Sequence, residues 1–495
     1  MITFFICLTL LVTAYFTYGK FLSKVCGLKN STEVPSKNQF DGVDYIPMPR
    51  WKTFLIQLLN IAGLGPIFGA VLGATYGPVA FLWITLGGIF MGAMHDFISG
   101  VMSLNNGGAS LPEIIGKYLG ISVKQVMRIF AAAMMILVGA VFMLGPAGLL
   151  NGMIGGGIEW LSLSGLKMWI LIVFAYYIIA TLLPIDKIIG NIYPVFGFAL
   201  IFMALGILYL ICTGNYHIPE LTTFANLKTN AQSTPIIPTL FITIACGAIS
   251  GFHATQSPMM ARCLKNRNES RFVFYGAMIS ESIIALIWAA ISMAFFAPEG
   301  VGIEGVKALN ATLAEHNADA SWVVSHIANT GLGKFGAILA LLGVVAAPIT
   351  SGDTAFRSAR LIIADFLHLE QKSLLKRLYV CIPLFVLGYV ITLLNYEILW
   401  RYFAWANQTL SVFTLWAISV YLYNKECDKN LLQNNNIFLI SFIPALFMTF
   451  ICSDFMFSSK QMFGLAQSLS IILSVGLTTL VSLGVLYKMK HFKDN

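Results

Sequence analysis

The sequence predicts an all-α integral membrane protein with about 13 transmembrane helices. Its composition is 58% hydrophobic and only 11% charged, whereas soluble domains are about 25% charged. Apolar stretches of about 20 residues, the length that crosses a bilayer core about 30 Å thick, recur along the whole chain. Lysine and arginine are also concentrated in alternate loops, as expected for a chain that crosses a membrane repeatedly.

Each predicted span is an apolar run bounded by polar residues. The spans are 2–19, 53–75, 78–104, 127–151, 167–185, 191–213, 236–257, 272–297, 335–366, 378–395, 401–423, 435–456 and 464–487. The first span lacks the basic start of a cleaved signal peptide, so we expect it to be retained as a helix. Spans seven and nine are expected to deviate most from straight helices.

The distribution of positive charge predicts the orientation in the membrane. Residues 20–52 contain six basic residues: Lys20, Lys24, Lys29, Lys37, Arg50 and Lys52. Because the cytoplasmic loops of membrane proteins are enriched in basic residues, this loop is expected on the cytoplasmic side and the N-terminus outside. Alternation from there leaves only six of the 30 basic residues outside: Lys167, Lys228, Lys307, Lys334, Arg401 and Lys460. The C-terminus is then cytoplasmic, and orientation in a plasma membrane explains the net charge of +8 without a nucleic-acid partner.

Two spans carry glycine or proline at their centres. Span two contains Gly63, Gly65 and Pro66, and span seven contains Gly247 and Gly251. Proline removes a backbone donor and glycine tolerates non-helical angles, so both spans are expected to break. Broken backbone at membrane depth is tolerated where it is buried or lines a cavity. The alternative is that these residues only allow close helix packing.

The positions of the breaks predict a LeuT-like, five-plus-five inverted repeat. The broken spans are five helices apart, and an odd offset inverts the second copy, which is the arrangement that marks a transporter binding site. The predicted parts are a peripheral helix with a cytoplasmic loop (1–52), repeat one (53–213), repeat two (236–423) and peripheral helices with a cytoplasmic tail (435–495). The extracellular loop 298–334 is expected to contain a helical stretch that could act as a lid.

The ends of the broken helices are the predicted substrate site. Free N–H groups at a helix N-terminus favour an anionic group such as a carboxylate, and carbonyl groups favour a cation. The candidate substrate-binding residues are Asn60, Gly63, Gly65, Pro66, Gly247, Ser250, Gly251 and His253. Alternatively, the only role of His253 could be to form hydrogen bonds with backbone groups that the break leaves free.

Four ionisable residues at membrane depth are candidates for proton coupling: Glu281, His95, Asp96 and Asp353. Inserting each of these side chains into the membrane costs about 2.5–3.5 kcal/mol, so each is expected to have a specific role. Glu281 has no basic residue within a turn, and an unpaired carboxylate suits reversible protonation. His95 and Asp96 are adjacent, so their side chains are expected to diverge on a helix, and Asp96 could be a simple cap.

Other assignments remain open at this stage. Asp353 could form an ordinary ion pair with Arg357, four residues later on the same helix. By analogy with amino-acid transporters of the five-plus-five fold, Ala62, Thr350 and Ser351 could form a sodium site. The eight cysteines show neither metal-ligand spacing nor a disulfide framework. No firm metal site and no cofactor are expected.

Four segments resemble the carbon starvation protein A family over about residues 50–370. These are Ile61–Ile67, Gly92–Phe97, Phe241–His253 and Asp353–Arg360. The resemblance implies a proton-coupled importer of pyruvate or peptides that serves carbon starvation, within the amino-acid–polyamine–organocation superfamily. This chain is shorter than the long members, and Ala254–Cys263 replaces a stretch that is rich in serine and glycine in them.

The leading functional hypothesis is therefore a secondary transporter in the plasma membrane that imports pyruvate, short peptides or amino acids with protons. Alternatives are a sodium-coupled symporter of amino acids or peptides, and a nutrient sensor that binds the solute without moving it. An enzyme is not expected, because the chain contains no zinc-helix motif, nucleophile elbow or glycine-rich phosphate loop.

Overall fold

The computed structural model describes residues 1–28, 31–158, 163–182, 189–214, 216–316, 318–371, 373–394, 396–424 and 436–492. The end of predicted span five (183–185) and Cys427 lie outside these residues. In this part of the chain the regular secondary structure is helical, apart from a two-stranded antiparallel sheet formed by β1 (Gly157–Ile158) and β2 (Leu163–Ser164).

In chain order, the α-helices are α1 Ile2–Phe16, α2 Tyr18–Val25, α3 Pro35–Asn38, α4 Arg50–Ile61, α5 Ala70–Ala74, α6 Val79–Leu82, α7 Ala93–Asn105, α8 Leu111–Leu119, α9 Ile121–Ile154, α10 Gly165–Leu182, α11 Ile189–Thr213, α12 Phe241–Thr243, α13 Gly251–Ala261, α14 Gly276–Phe295, α15 Glu304–Glu315, α16 Ala320–Ala340, α17 Ala346–Leu367, α18 Leu374–Ile391, α19 Tyr396–Tyr423, α20 Leu439–Ser458 and α21 Gln467–Lys490. Short π-helical segments join several of them: Gly65–Gly69, Trp83–Gly92, Ile236–Leu240, Arg271–Tyr275 and Leu341–Val345.

Eight helices among the described residues are long and apolar enough to cross a membrane, and a bent pair makes a ninth. The sequence predicts about 13 spans, so several predicted spans do not meet that test of length and composition. One of these is α17, which carries four charged residues: Asp353, Arg357, Arg360 and Asp365. Buried charge therefore lowers the hydropathy of a helix that still packs inside the bundle.

Both predicted helix breaks are present. Helix α4 ends at Ile61 and helical structure resumes at Gly65, where the chain bends by 56°. Helix α12 ends at Thr243 and α13 begins at Gly251, so seven residues between them are not helical. The glycine and proline patterns thus identify real interruptions.

The two breaks touch each other. A Cβ added at Gly65 would overlap the Cβ and Sγ of Cys246, and one added at Gly73 would overlap the side chain of Ile244. At Gly247 an added Cβ would lie 3.9 Å from the Cα of Pro66. Glycine on both sides permits the backbones to approach this closely.

The ninth predicted span is also irregular, as the sequence predicts. A π-helical segment, Leu341–Val345, separates α16 from α17 within this span (335–366). Just before the span, Gly333 in α16 has a φ of +63°. The predicted loop 298–334 is largely helical, because it contains α15 and most of α16 (320–334).

The segment between α2 and α4 packs against the helix ends rather than projecting away. Asp44 is 4% exposed and lies 3.2 Å from a guanidinium nitrogen of both Arg357 and Arg360 in α17. The Met48 N–H donates to the Cys263 carbonyl just after α13, at 2.9 Å. This segment therefore links the second broken helix to α17.

Candidate functional site

Three of the four residues predicted for proton coupling meet the predicted substrate ligand His253 in one buried cluster. His95 and Asp96 lie in α7, His253 in the first turn of α13 and Glu281 in α14. All four side chains are fully buried. Polar residues from three helices thus converge where the second broken helix restarts.

Asp96 is the centre of this cluster. Its Oδ1 lies 2.8 Å from Nδ1 of His95, and its Oδ2 lies 2.8 Å from Nδ1 of His253. The prediction that the adjacent His95 and Asp96 diverge is wrong, because the short aspartate side chain turns one oxygen back to its neighbour. A carboxylate only accepts hydrogen bonds, so both imidazoles donate from Nδ1. A neutral imidazole then has an unprotonated Nε2.

Glu281 extends the cluster on the other side of His253. Its Oε2 lies 3.4 Å from Nε2 of His253, within the reach of an ion pair when the imidazole is protonated. The sequence places no basic residue within a turn of Glu281, and the imidazole that lies near it comes from another helix. In the described part of the chain, His253 Nε2 and both Glu281 oxygens have no hydrogen-bond partner.

The break before α13 adds a cysteine that the sequence analysis did not select. Cys246 is 1% exposed. One ligand atom from each of Cys246, His253 and Glu281 lies within 4.8 Å of the other two. The spacing along the chain does not reveal this group, because the three residues come from a loop and two helices.

Asn407 in α19 holds the second break in place, and it too was missed. Its Oδ1 accepts the Phe252 N–H at 2.8 Å and the Ser250 hydroxyl at 2.9 Å. Its Nδ2 donates to the sulfur of Cys246 at 3.4 Å. A side chain from a distant helix thus satisfies an N–H group that the first turn of α13 leaves free.

The first break carries two buried amide side chains. Asn60, a predicted substrate ligand, and Gln57 are three residues apart on α4 and therefore share a face. Both are fully buried, and among the described residues neither amide has a hydrogen-bond partner. Buried amides are normally satisfied, so this pair requires an explanation.

The predicted sodium residues lie beside this break. Ser351 donates from its hydroxyl to the Leu59 carbonyl at 2.8 Å, and Thr350 donates to the Ala347 carbonyl at 2.7 Å. The N–H of Ala62 donates to the Leu58 carbonyl and so closes the last turn of α4. Ser351 thus connects α17 to the end of α4.

Asp353 has partners of its own. Its Oδ2 accepts the hydroxyl of Tyr193 at 2.5 Å, and the same hydroxyl lies 3.2 Å from the Thr350 carbonyl. Arg357, its suggested partner, donates to the Ala180 carbonyl and contacts Asp44. Asp353 therefore belongs to a contact between α11 and α17.

The fold resembles that of a solved transporter. A manganese transporter of Eremococcus coleocola matches with a TM-score of 0.53 and 12% sequence identity. The match covers 92% of this chain and 99% of that one. At this identity the likeness concerns the fold alone.

Three sequence relatives are informative. A membrane protein of Haemophilus influenzae is 44% identical, and the match covers 60% of this chain and 91% of that one. The peptide transporter CstA of Campylobacter jejuni is 28% identical over 55% of this chain and 47% of its own. The pyruvate/proton symporter BtsT of Escherichia coli is 27% identical over 56% and 46%. These matches span about half the length of the two named transporters.

The resemblance seen in the sequence motifs extends over most of the chain. The family described as carbon starvation protein CstA matches residues 1–156 and 151–332. These residues include both helix breaks, the paired His95 and Asp96, and the cluster around His253. The chain is therefore a multi-pass membrane protein of the CstA family.

Proposed function

We propose that this protein is a proton-coupled secondary transporter that imports a small nutrient bearing a carboxylate, either pyruvate or a short peptide. The buried cluster of His95, Asp96, His253 and Glu281 carries the proposal. Ionisable groups are costly at membrane depth and commonly mark proton pathways. The family's named members include peptide transporters and a pyruvate/proton symporter, which supports the same substrate class.

The geometry suggests how one proton could be exchanged. Asp96 accepts from both imidazoles, which leaves Nε2 of His253 as a basic atom 3.4 Å from Glu281. One proton can be held by either of these two groups, and its loss leaves a negative carboxylate. A substrate that binds beside the pair would change which protonation state is favoured. This differential interaction is what coupling requires.

The substrate carboxylate is proposed to bind between the two breaks. The N-terminal N–H groups of the helical segment that begins at Gly65 supply partial positive charge. Asn60 and Gln57 supply buried amides without partners among the described residues. Gly63, Pro66, Gly247, Ser250 and Gly251 would line the same place, as the sequence predicts. Because the cluster is fully buried, the helices must move to admit a solute.

The finer architecture is part of the proposal. We place 13 spans in the membrane, with repeat one at 53–213 and the inverted repeat two at 236–423. The flanking parts, 1–52 and 435–495, are peripheral. The N-terminus is outside and the C-terminus is in the cytoplasm. Contact between the two breaks and the likeness in fold to the manganese transporter support the pairing of the two repeats.

Uptake into proteoliposomes tests the function. We expect radiolabelled pyruvate or a dipeptide to accumulate when the outside is acidic, and not when only a sodium gradient is imposed. Glu281→Gln should abolish accumulation driven by the proton gradient but keep exchange of labelled for unlabelled substrate, because exchange needs no net proton movement.

Asp454→Asn is the matched control. Asp454 is another fully buried carboxylate, but its partners are Ser470 and Gln467 in α21. This variant should retain gradient-driven uptake. Accumulation by Glu281→Gln at the normal rate would remove Glu281 from coupling. Accumulation driven by sodium alone would favour the site at Ala62, Thr350 and Ser351 instead, and binding without any flux would indicate a sensor.

A further inference from the structure

Cys246, His253 and Glu281 form a set of three potential metal ligands. A sulfur, an imidazole nitrogen and a carboxylate oxygen lie within 4.8 Å of one another, and all three side chains are buried. Two of the three atoms have no hydrogen-bond partner in the described part of the chain: His253 Nε2 and either oxygen of Glu281. Buried polar atoms left unsatisfied in this way require an explanation.

The surroundings of these residues are those of a metal site. Asp96 accepts the Nδ1–H of His253, which fixes the imidazole ring and leaves Nε2 available as a ligand. A zinc-ligating histidine usually donates its other ring N–H to an outer partner such as a carboxylate. The Asn407 amide donates to the sulfur of Cys246, a contact that stabilises a thiolate. Thus the histidine and the cysteine are both held by neighbours suited to metal binding.

We propose that Cys246, His253 and Glu281 bind one zinc-class divalent transition metal ion at the second helix break. A donor set of one sulfur, one nitrogen and one oxygen matches three-ligand zinc sites, which keep a fourth position for water or a solute group. Magnesium, calcium and manganese prefer oxygen ligands, so the cysteine selects against them. When the ion binds, the Cys246 thiol proton and any proton on Glu281 or His253 are released to solvent.

This inference goes beyond the proposed transport function and does not require it. The two share His253 and Glu281, so a bound ion and a coupling proton would compete for the same atoms. Ion binding is measured without substrate or a gradient. A failure of the transport proposal therefore leaves the metal proposal standing, and the reverse also holds.

Spectroscopy with Co²⁺ on the purified full-length protein is the direct test. We expect one Co²⁺ per chain with a thiolate-to-cobalt charge-transfer band, displaced by Zn²⁺ but not by Mn²⁺. Cys246→Ser should abolish the band, while Cys452→Ser, which removes a buried cysteine in α20, should keep it. Asp96→Asn should weaken the affinity by about 10- to 100-fold, because it alters the orientation of His253.

A second measurement distinguishes loss of the metal site from misfolding of a variant. Zn²⁺ should raise the apparent unfolding temperature of the wild-type protein and of Cys452→Ser, but not that of Glu281→Gln, in which all cysteines remain. A band that survives in Cys246→Ser, or wild-type protein that binds no Co²⁺, would overturn the proposal. Equal stabilisation of Glu281→Gln and the wild type by Zn²⁺ would overturn it as well.

Discussion

The side chain of Asn407 forms hydrogen bonds with three residues at the second break. It accepts from Ser250 and from the Phe252 N–H and donates to Cys246. Asn407→Ala leaves a buried N–H group without its acceptor, which costs about 1–3 kcal/mol. We expect a lower apparent unfolding temperature in detergent and weaker substrate binding in the same variant.

A second asparagine, at the C-terminal end of α19, provides the control for this prediction. Asn424, just after α19, donates only to the Val420 carbonyl of that helix among the side-chain bonds that the structure describes. Asn424→Ala should therefore leave both measurements close to wild type. If the two variants lost equal stability, the capping role of Asn407 would be excluded.

At the residue scale, the sequence identified ionisable groups but not their partners. Insertion cost alone selects Glu281, His95, Asp96, His253 and Asp353. The structure brings the first four together, whereas Asp353 accepts a hydrogen bond from Tyr193. The partners Cys246 and Asn407 could not be selected, because buried cysteine and asparagine are common and their contacts depend on tertiary packing. Asp454 was also missed, although a carboxylate within an apolar run is a signal that insertion cost could have detected.

At the element scale, the approach of the two broken helices depends on glycine. A Cβ at Gly65 would overlap Cys246, so Gly65→Ala must push the breaks apart. Overpacking of this kind costs about 1–3 kcal/mol. We expect Gly65→Ala to lower the apparent unfolding temperature, and the added substitution Cys246→Gly to restore part of it by removing the overlapping atoms.

The outermost helix supplies a matched control for the glycine variant. Gly484 lies in α21, and a Cβ there meets nothing within 4 Å. Because alanine favours helix by up to about 1 kcal/mol, Gly484→Ala should be neutral or slightly stabilising. A neutral Gly65→Ala would show that the breaks do not need to touch.

The interruptions of the helices could be predicted because glycine and proline act on the local backbone. The sequence accordingly predicted both breaks and the irregular ninth span. Helix limits within loop 298–334 were harder to predict, since α15 is amphipathic and its burial depends on α14. The two arginines of α17 likewise have no evident partner in the sequence, and only the structure shows Asp44 beside them.

At the scale of the whole molecule, apolar composition alone was sufficient to predict a multi-pass helical protein. The exact number of spans is harder to predict, because a helix such as α17 carries buried charge that lowers its hydropathy. The segment that contains Asp44 resembled a plain polar loop in the sequence. Its packing between α13 and α17 arises from contacts more than 200 residues apart in the chain.

Asp44 ties this segment to the bundle and should make stability depend on pH. Burial raises the pKa of its carboxyl, but Arg360, Arg357 and Arg262 outweigh burial and lower the pKa to about 2. Because an unfolded aspartate has a pKa of about 3.9, this stabilisation is present above that pH and is lost as the pH falls toward 2. Asp44→Asn leaves buried arginines uncompensated, which costs about 3–5 kcal/mol at neutral pH.

We therefore expect Asp44→Asn to lower the apparent unfolding temperature in detergent at neutral pH, with a difference from wild type that shrinks as the pH falls below about 4. Glu113→Gln is the control, because Glu113 is 29% exposed where it pairs with Lys124 and Arg128. Pairs with such exposure contribute at most about 1 kcal/mol, so this variant should unfold close to wild type. A difference for Asp44→Asn that stayed constant with pH would show that the carboxylate's charge does not hold the segment, and that packing does.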